Sequence, residues 1–262
     1  MKTSPLDVPT QETHGASSDK DRAQWEQMEA LLEENPHSLY HLMSLWPVYA
    51  RRINVVRFLA HFKLFEKVIN LPGDIVEVGV SRGASLFTWH KLIEIFCPTD
   101  TSRKIIGFDS FEGLTDFNEH DGALDPGVGK SVGGWSANSV EREVYALKDI
   151  HNRDNVLARE RVILVKGRIQ DTLPGFLASR PGMRISLLHL DADLYEPTMA
   201  TLDGLWDLVV PGGVVVFDEY GLPPWAGEGA AFDEFREKRG LTGLKIEKFP
   251  WSLTPNGFVI KP

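Results

Sequence analysis

Residues 74–85 constrain the fold of this chain more than any other part of its sequence. Residues 75–78 are an apolar run broken only by Glu77, and they are followed by a Gly-x-x-x-Gly turn at Gly79 and Gly83. This order predicts a short buried strand, a tight turn and the first turn of a helix, which is how α/β folds form a ligand cradle. The glycines let the backbone approach a ligand, and the helix N-terminus offers free N–H groups.

Glu77 narrows the kind of ligand that this cradle would accept. A dinucleotide fingerprint, Gly-x-Gly-x-x-Gly, would require its first glycine at position 77. A carboxylate at the strand end repels a pyrophosphate but suits a ligand with a cationic amine, and S-adenosylmethionine (SAM) carries such an amine. The alternative interpretation is an ordinary strand-turn-helix unit with a solvated glutamate.

The end of the second predicted strand, residues 104–108, carries a second candidate site. From residue 74 onward predicted strands and helices alternate, which is typical of a parallel sheet covered on both faces. Asp109 and Ser110 follow the strand, and an acid at this place in α/β nucleotide folds binds the ribose hydroxyls. Asp109 could instead cap the following turn. The predicted cofactor-binding residues are Glu77, Gly79, Gly83, Asp109 and Ser110.

Four acids follow the fourth and fifth predicted strands. The predicted fourth strand, residues 185–190, is followed by Asp191 and Asp193, and the fifth, residues 214–217, is followed by Asp218 and Glu219. If these two strands are neighbours, they lie about 4.8 Å apart, and carboxylates at their matching ends can converge on one point. Close carboxylates repel one another unless a cation or a shared proton intervenes, and oxygen ligands favour Mg²⁺ over zinc. The alternative is that these acids cap helices.

Composition excludes several classes of protein. A net charge of −9 argues against a nucleic-acid partner, and the single cysteine, Cys97, excludes an internal disulfide and a cysteine-based zinc site. No apolar run approaches the roughly 18 residues of a membrane span, and no apolar signal segment precedes Trp25. We therefore expect a cytoplasmic protein without a nucleic-acid or membrane partner; a homo-oligomer is compatible with the sequence.

The chain of 262 residues suits one α/β domain with an N-terminal extension. Residues 1–20 are polar and rich in proline, serine and threonine, which predicts a disordered tail. Residues 21–72 are interpreted as a helical extension and residues 73–262 as the α/β domain. In the extension, helices are predicted over residues 21–34 and 47–69. Arg51 and Arg52 are interpreted as a solvated helix edge or, alternatively, as cations of which one reaches an anionic group of the ligand.

Three further segments carry predictions. Residues 114–139 form a long glycine-rich loop that contains Trp135, and we interpret it as a lid over the site. Residues 244–249 and 257–260 are predicted as the last two strands of the sheet. His189 is interpreted as a core histidine with satisfied hydrogen bonds rather than as a general base.

Taken together, these segments resemble the macrocin O-methyltransferase family of SAM-dependent sugar O-methyltransferases. The matching motifs are Gly-Asp-Ile-Val-Glu-Val-Gly-Val-Ser-Arg-Gly at 73–83, Phe-Asp-Ser-Phe-Glu-Gly-Leu at 108–114, Asp-Thr-Leu-Pro at 171–174, Leu-Asp-Ala-Asp-Leu-Tyr-Glu at 190–196, and Pro-Gly-Gly at 211–213 through Tyr-Gly at 220–221. The resemblance implies a class I SAM-dependent methyltransferase fold, with a Rossmann-like, mostly parallel sheet of seven strands in which the fourth and fifth are adjacent.

The resemblance also implies Mg²⁺ at Asp191, Asp218 and Glu219, with Asp193 nearby. The family usually has aspartate at the position of Glu219, so its longer side chain is a departure that would shift or weaken the ion. Methyl transfer from the sulfonium of SAM needs an in-line oxygen nucleophile and a proton acceptor. Mg²⁺ would lower the pKa of a sugar hydroxyl, and Asp191 or Asp193 would take its proton.

The predicted function is therefore SAM-dependent and Mg²⁺-dependent methylation of a hydroxyl on a sugar or a sugar-bearing natural product. Three alternatives stay open. A Mg²⁺-dependent catechol-type methyltransferase would use the same ion with a flat aromatic acceptor. A protein like the cephalosporin hydroxylases would bind SAM in a related fold and catalyse a different reaction. A SAM-binding regulator would be no enzyme and would have no use for the second acidic cluster.

Overall fold

The computed structural model describes residues 18–262, without the side chains of residues 18–21 and 53. Residues 1–17, which make up most of the predicted tail, lie outside the described residues. The elements follow in the order α1 (Ser18–Glu34), α2 (Leu39–Ser44), α3 (Trp46–Tyr49), α4 (Arg52–Val68), β1 (Asp74–Val78), α5 (Ala84–Phe96), β2 (Ile105–Asp109), α6 (Glu141–Asp154), β3 (Val162–Lys166), α7 (Ile169–Ala178), β4 (Ile185–Leu190), α8 (Tyr195–Leu205), β5 (Val209–Phe217), α9 (Gly227–Lys238) and β6 (Gly257–Ile260). None of the helices in this part of the chain is both long and apolar enough to cross a membrane.

The single helix predicted over residues 47–69 is wrong, because the chain forms two helices there. Pro47 lies in the first turn of the short α3, and Ala50 and Arg51 then adopt extended conformations before α4 begins. The Oδ1 atom of Asn54 accepts a hydrogen bond of 3.2 Å from the Arg51 N–H. The side chain in the first turn thus stabilises the start of a new helix at Arg52.

The sheet has the strand order β3-β2-β1-β4-β5-β6. Strands β1 to β5 are parallel, and β6 is antiparallel to β5. The prediction of a strand over residues 244–249 is wrong, because only Glu247 forms an antiparallel bridge there, to Phe258 of β6. The described sheet therefore has six strands, while the expected adjacency of the fourth and fifth strands is confirmed.

Both faces of the sheet are covered by helices, because its strands are apolar runs with buried side chains on both sides. Helices α4, α5 and α6 pack on one face, where Leu64, Phe65 and Trp89 are fully buried. Helices α7, α8 and α9 pack on the other face, where Leu202 and Phe232 are fully buried. Each such side chain contributes roughly 1.5–3 kcal/mol through its burial, so α4 belongs to the core although it precedes the first strand.

The carboxyl ends of the parallel strands meet at one edge of the sheet, and the backbone pairing continues past them. The N–H groups of Gly79, Asp191 and Asp218 donate to the carbonyl groups of the neighbouring strands at 2.8–3.0 Å. This pairing places the residues after β2, β1, β4 and β5 side by side, so the predicted site residues share one edge.

The loop over residues 114–139 contains no strand or α-helix, as predicted, but it does contain 3₁₀ turns at Glu119–Asp121 and Pro126–Val128. Its Leu114 packs with Leu194 and Trp225 in a small apolar cluster beside Trp135. The loop therefore lies against the edge that carries the site residues. Its motion as a lid stays a prediction.

Candidate active site

A cavity that is open to solvent lies at the carboxyl edge of the sheet. Its walls come from the turn after β1, from the ends of β2 and β4, from the start of α7 and from the loop over residues 114–139. Of the predicted site residues, it is lined by Gly79, Asp109, Ser110, Asp191 and Asp193.

The turn after β1 is shaped by a close approach to β4. Gly79 has φ +94°, and a Cβ atom there would lie 1.7 Å from the carbonyl oxygen of Asp191. Only glycine therefore fits this position, whatever ligand the cavity binds. Ser81, with φ +48°, also lines the cavity.

Asp109 fixes the conformation of this turn. Its Oδ2 atom accepts a hydrogen bond of 2.6 Å from the Ser81 N–H, and its Oδ1 atom accepts one of 2.6 Å from the Phe111 N–H. Burial raises the pKa of Asp109, although these amide hydrogen bonds oppose the rise. Asp109 thus caps the turns on both sides of it and also faces the cavity, so the two alternatives from the sequence are compatible.

Glu77 and Gly83 do not line the cavity. The Oε2 atom of the fully buried Glu77 accepts a hydrogen bond of 2.9 Å from Trp89 Nε1 and lies 3.3 Å from His189 Nδ1. Gly83, with φ +85°, precedes α5 and packs against the Phe87 ring, where a Cβ atom would lie within 2.6 Å. Direct contact of either residue with a cofactor stays a prediction, and the geometry gives both residues roles in the core.

The acidic residues after β4 and β5 converge around the guanidinium group of Arg57, which comes from α4. Arg57 Nη2 lies 2.9 Å from Asp191 Oδ2, and Arg57 Nη1 lies 2.7 Å from Asp218 Oδ2. The second oxygen of Asp218, Oδ1, lies 3.0 Å from His189 Nε2. His189 is fully buried between Glu77 and Asp218, which confirms that it is a core histidine with hydrogen-bond partners.

Burial and mutual repulsion shift the pKa values in this cluster. Burial by itself would lower the pKa of His189, but its hydrogen bonds to Asp218 and Glu77 raise it to about 10. Burial and then the charge of Asp218 raise the pKa of Asp191 well above its usual range, and the same two causes raise the pKa of Asp193 to about 7. Burial opposes a low pKa for Asp218, yet Arg57 and His189 hold it below the ordinary value.

Two further buried acids border the cluster. Glu228, in the first turn of α9, accepts a hydrogen bond of 2.9 Å from the Glu219 N–H through its Oε1 atom. The Oε2 atoms of Glu219 and Glu228 are buried without a hydrogen-bond partner. Burial, followed by the charges of neighbouring acids, raises the pKa of both carboxyl groups. Buried oxygens without partners are the chemistry that a cation or a proton would satisfy.

This donor set fits a hard divalent cation, because carboxylate oxygens are the ligands that Mg²⁺ prefers. Among the described residues, ligand atoms of His189, Asp191 and Asp218 lie within 4.8 Å of one another. Glu219 is not part of that group, although its buried and unpartnered Oε2 atom is available for a ligand. The structure thus brings Asp191 and Asp218 together, with Asp193 and Glu219 beside them.

Sequence reasoning missed Arg57 and Glu228 as members of the site. The signal for Arg57 was its spacing: Arg57, His61, Leu64 and Val68 recur at helical intervals on the face of α4 that packs on the sheet. An arginine in such a stripe requires buried acidic partners. The two arginines singled out from the sequence, Arg51 and Arg52, come just before this stripe.

Comparisons with known proteins agree with this geometry. The sequence model of the macrocin O-methyltransferase (TylF) family matches residues 20–250. Demethyldecarbamoylnovobiocin O-methyltransferase from Streptomyces niveus is 33% identical over 200 residues, which cover 74% of this chain and 70% of that protein. A tetracenomycin-C 4'-O-methyltransferase from Streptomyces olivaceus, which acts on a dimethoxy-rhamnosyl derivative, is 29% identical over 218 residues, covering 76% and 71% of the two chains.

A solved structure shows the same fold. The crystal structure of CalS11, a calicheamicin methyltransferase, superposes with a TM-score of 0.84 at 28% identity and covers 95% of this chain and 94% of that one. This likeness confirms the predicted class I SAM-dependent methyltransferase fold, and the family match confirms an enzyme rather than a regulator. The chain is an O-methyltransferase that belongs to the macrocin O-methyltransferase family.

Proposed function

We propose that this protein transfers the methyl group of SAM to a hydroxyl of a sugar or a sugar-bearing natural product. The observation that carries the proposal is one cavity with two kinds of wall: the turn held by Asp109 on one side, and the acids after β4 on the other. The novobiocin and tetracenomycin relatives, by their names, methylate oxygens of natural products, which supports an acceptor of this class.

The cofactor would bind along the turn after β1 and the end of β2. Gly79 and Ser81 offer backbone at close range, and Asp109 offers carboxylate lone pairs beyond the two that the amides of Ser81 and Phe111 use. Glu77 would act on the site indirectly, because its carboxylate holds His189, and His189 in turn binds Asp218.

Asp193 is the preferred proton acceptor. Both aspartates line the cavity, but the Asp191 carboxylate is held by Arg57. Asp193 has φ +62°, a conformation that costs an aspartate free energy and is typical of functional sites. Asp191, Asp218 and Glu219 would hold Mg²⁺. A divalent cation bound there would lower the pKa of a nearby hydroxyl and neutralise the acids.

Calorimetric titration with SAM, followed by mass analysis of products from a panel of deoxysugar-bearing compounds, tests the reaction. We expect SAM to bind and a sugar-bearing acceptor to gain one methyl group. Asp193→Asn should bind SAM as the wild type does and should lose turnover. A methylated catechol together with no methylated sugar would contradict the acceptor class, and full turnover of Asp193→Asn would contradict the assigned base.

Removal of metal tests the ion separately. EDTA should abolish methyl transfer while SAM affinity stays nearly unchanged, and added Mg²⁺ should restore turnover. Glu219→Asp should bind Mg²⁺ more tightly if the longer side chain coordinates poorly. Full activity in EDTA would contradict the ion and would leave these carboxylates as bases or caps.

We infer the cytoplasm as the compartment from the single cysteine and the small-molecule reaction. A nucleic-acid or membrane partner is not expected from the charge and hydropathy of the sequence. A homo-oligomer is compatible with both the sequence and the fold.

A further inference from the structure

Arg57 occupies the position between the two carboxylates that come from neighbouring strands. Its guanidinium group is within hydrogen-bond distance of Asp191 and Asp218, as described above, and it also contacts two hydroxyl groups. Nη2 lies 3.1 Å from Ser85 Oγ, and Nη1 lies 2.7 Å from Thr254 Oγ1. One cationic group thus joins α4, the start of α5, the ends of β4 and β5, and the segment before β6.

The contacts of Asp218 show why this position matters for a cation. Both oxygens of this fully buried carboxylate already accept hydrogen bonds, Oδ1 from His189 and Oδ2 from Arg57. A divalent ion that bridged Asp191 and Asp218 would approach the oxygens that now contact the guanidinium. Two cations at so short a separation in a buried site repel each other strongly.

We propose that Arg57 and a divalent cation compete for Asp191 and Asp218, so that the guanidinium group neutralises these carboxylates whenever the divalent cation does not. This inference rests on the divalent-ion site of the proposed function. It assigns Arg57 as a positioning residue that acts through the two carboxylates. The ion would then coordinate only after the guanidinium group releases the Oδ2 atoms and gives up its contacts with Ser85 and Thr254.

The helix that carries Arg57 is anchored independently of its charge. His61 Nδ1 lies 2.7 Å from the Arg57 carbonyl oxygen, and its ring packs 4.5 Å from the Trp89 ring, measured between centroids. Leu64 and Val68, further along the helix, are fully buried. Removal of the guanidinium group should therefore leave α4 in place while changing the charge next to Asp191 and Asp218.

Isothermal titration calorimetry of the whole chain with MgCl₂ alone tests the competition. We expect Arg57→Gln to tighten Mg²⁺ binding at least about tenfold relative to the wild type, because a positive charge beside the site is removed. Arg57→Lys, which keeps the charge but lacks the planar fork, should fall between the two. Arg52→Gln removes the same charge from an exposed position on the same helix and should leave Mg²⁺ affinity unchanged.

Thermal unfolding provides a second measurement. Without Mg²⁺ the melting temperature of Arg57→Gln should lie below that of the wild type, since the acids lose the cationic guanidinium group. Saturating Mg²⁺ should raise the melting temperature of Arg57→Gln by more than it raises the melting temperature of the wild type. If Arg57→Gln does not fold, Ser85→Ala tests the competition instead, because it removes one hydrogen bond to the guanidinium group without changing the charge. Tighter Mg²⁺ binding by Ser85→Ala would support the competition, and unchanged Mg²⁺ binding would contradict it.

The outcomes separate this inference from the proposed function. Equal Mg²⁺ affinity in the wild type and Arg57→Gln would overturn the competition and leave the Mg²⁺ site intact. Mg²⁺ binding by Arg57→Gln alone would support the competition and would show that the wild type uses Arg57 in place of the ion. Absence of binding in both proteins would overturn the inference, while methyl transfer measured in EDTA would still test the reaction itself.

Discussion

The carboxylate of Asp109 combines two tasks, because it holds the turn after β1 and also faces the cavity. We predict that Asp109→Ala weakens SAM binding by about 1.5–3 kcal/mol, the scale of a hydrogen bond to a charged group. Calorimetry at constant salt measures the change. Asp100→Ala is the matched control, because Asp100 accepts the backbone N–H groups of Ser102 and Arg103 in another turn and does not line the cavity. Unchanged SAM affinity in folded Asp109→Ala would contradict the site.

His90 of α5 provides a pH-dependent prediction at the same scale. The residue is 3% exposed and neither ring nitrogen has a hydrogen-bond partner; burial, followed by the charge of His151, lowers its pKa to about 4. Because the folded-state pKa of His90 lies below its unfolded-state value, protonation of His90 favours the unfolded state. The stability that comes from burying the neutral ring is fully present above about pH 6.5 and is lost as the pH falls towards 4. The variant His90→Phe should not show this loss of stability on acidification.

The expected size follows from the pKa difference. Between pH 7 and pH 4 the free energy of unfolding of His90→Phe should improve relative to the wild type by up to about 3 kcal/mol. Urea unfolding at several pH values measures the free energy of unfolding of both proteins. The acidic cluster titrates in both of them, so its contribution cancels in the difference between variant and wild type. His90→Leu, with a different side-chain volume, should show the same pH dependence. A difference independent of pH would contradict the buried neutral histidine.

At the scale of elements, the loop over residues 114–139 is held to the rest of the fold by Lys130. This side chain is almost fully buried, and its ammonium group donates to the carbonyl oxygen of Pro224 at 2.8 Å and also to that of Asp121. Residues 122–127 are exposed. The loop therefore has an anchored part near the cavity and an accessible tip.

We predict that limited proteolysis cleaves this loop at residues 122–127 and that Lys130→Met accelerates the cleavage several-fold, since the carbonyl groups of Asp121 and Pro224 lose their donor. SAM together with an acceptor should slow cleavage in the wild type, as expected of a lid that closes over bound ligands. Lys63→Met, at an exposed lysine of α4, is the control. Cleavage that is as fast with both ligands as without them would contradict the lid.

The sequence predicts elements best where burial is continuous. Strand β4 was located residue for residue, because a mostly apolar run is followed directly by an acid, and all six of its residues are buried. The break before α4 was not predicted, since it depends on the contact between Arg51 and the Asn54 side chain. A strand was also predicted over residues 244–249, but the pairing of this segment with β6 is limited to one bridge. Local patterns specify burial, but pairing and capping depend on the partners that the fold brings close.

The candidate site shows the same division between what local patterns specify and what depends on distant partners. Parallel strands end at one edge of the sheet, so the placement of Asp109, Asp191 and Asp218 at that edge could be predicted from the sequence. Arg57 reaches Asp218 across 161 positions of the chain, a distance at which no local pattern specifies a partner. Glu77 has the residue type expected of a cofactor ligand, but the side chain points into the core because β1 is buried on both faces.

For the whole molecule, the packing of α4 bears on where the folded domain begins. The sequence places the boundary of the domain at residue 73, but the side chains of Leu64, Phe65 and Val68 are fully buried in the cluster that covers one face of the sheet. Their burial is worth about 1.5–3 kcal/mol each. The sum is comparable with the roughly 5–15 kcal/mol by which a typical domain is stable, so we expect the folded domain to require α4.

Helices α2 and α3, by contrast, bury no residue. We predict that a protein of residues 51–262 unfolds in one cooperative transition close to the melting temperature of the full chain, and that a protein of residues 73–262 does not fold. Circular dichroism melts and urea titrations of both truncations measure this. Leu64→Ala in the full chain should lower the free energy of unfolding by about 2–5 kcal/mol, an independent measure of how α4 contributes. Cooperative folding of residues 73–262 would show instead that α4 is an appendage, and failure of residues 51–262 would show that α1 to α3 are required.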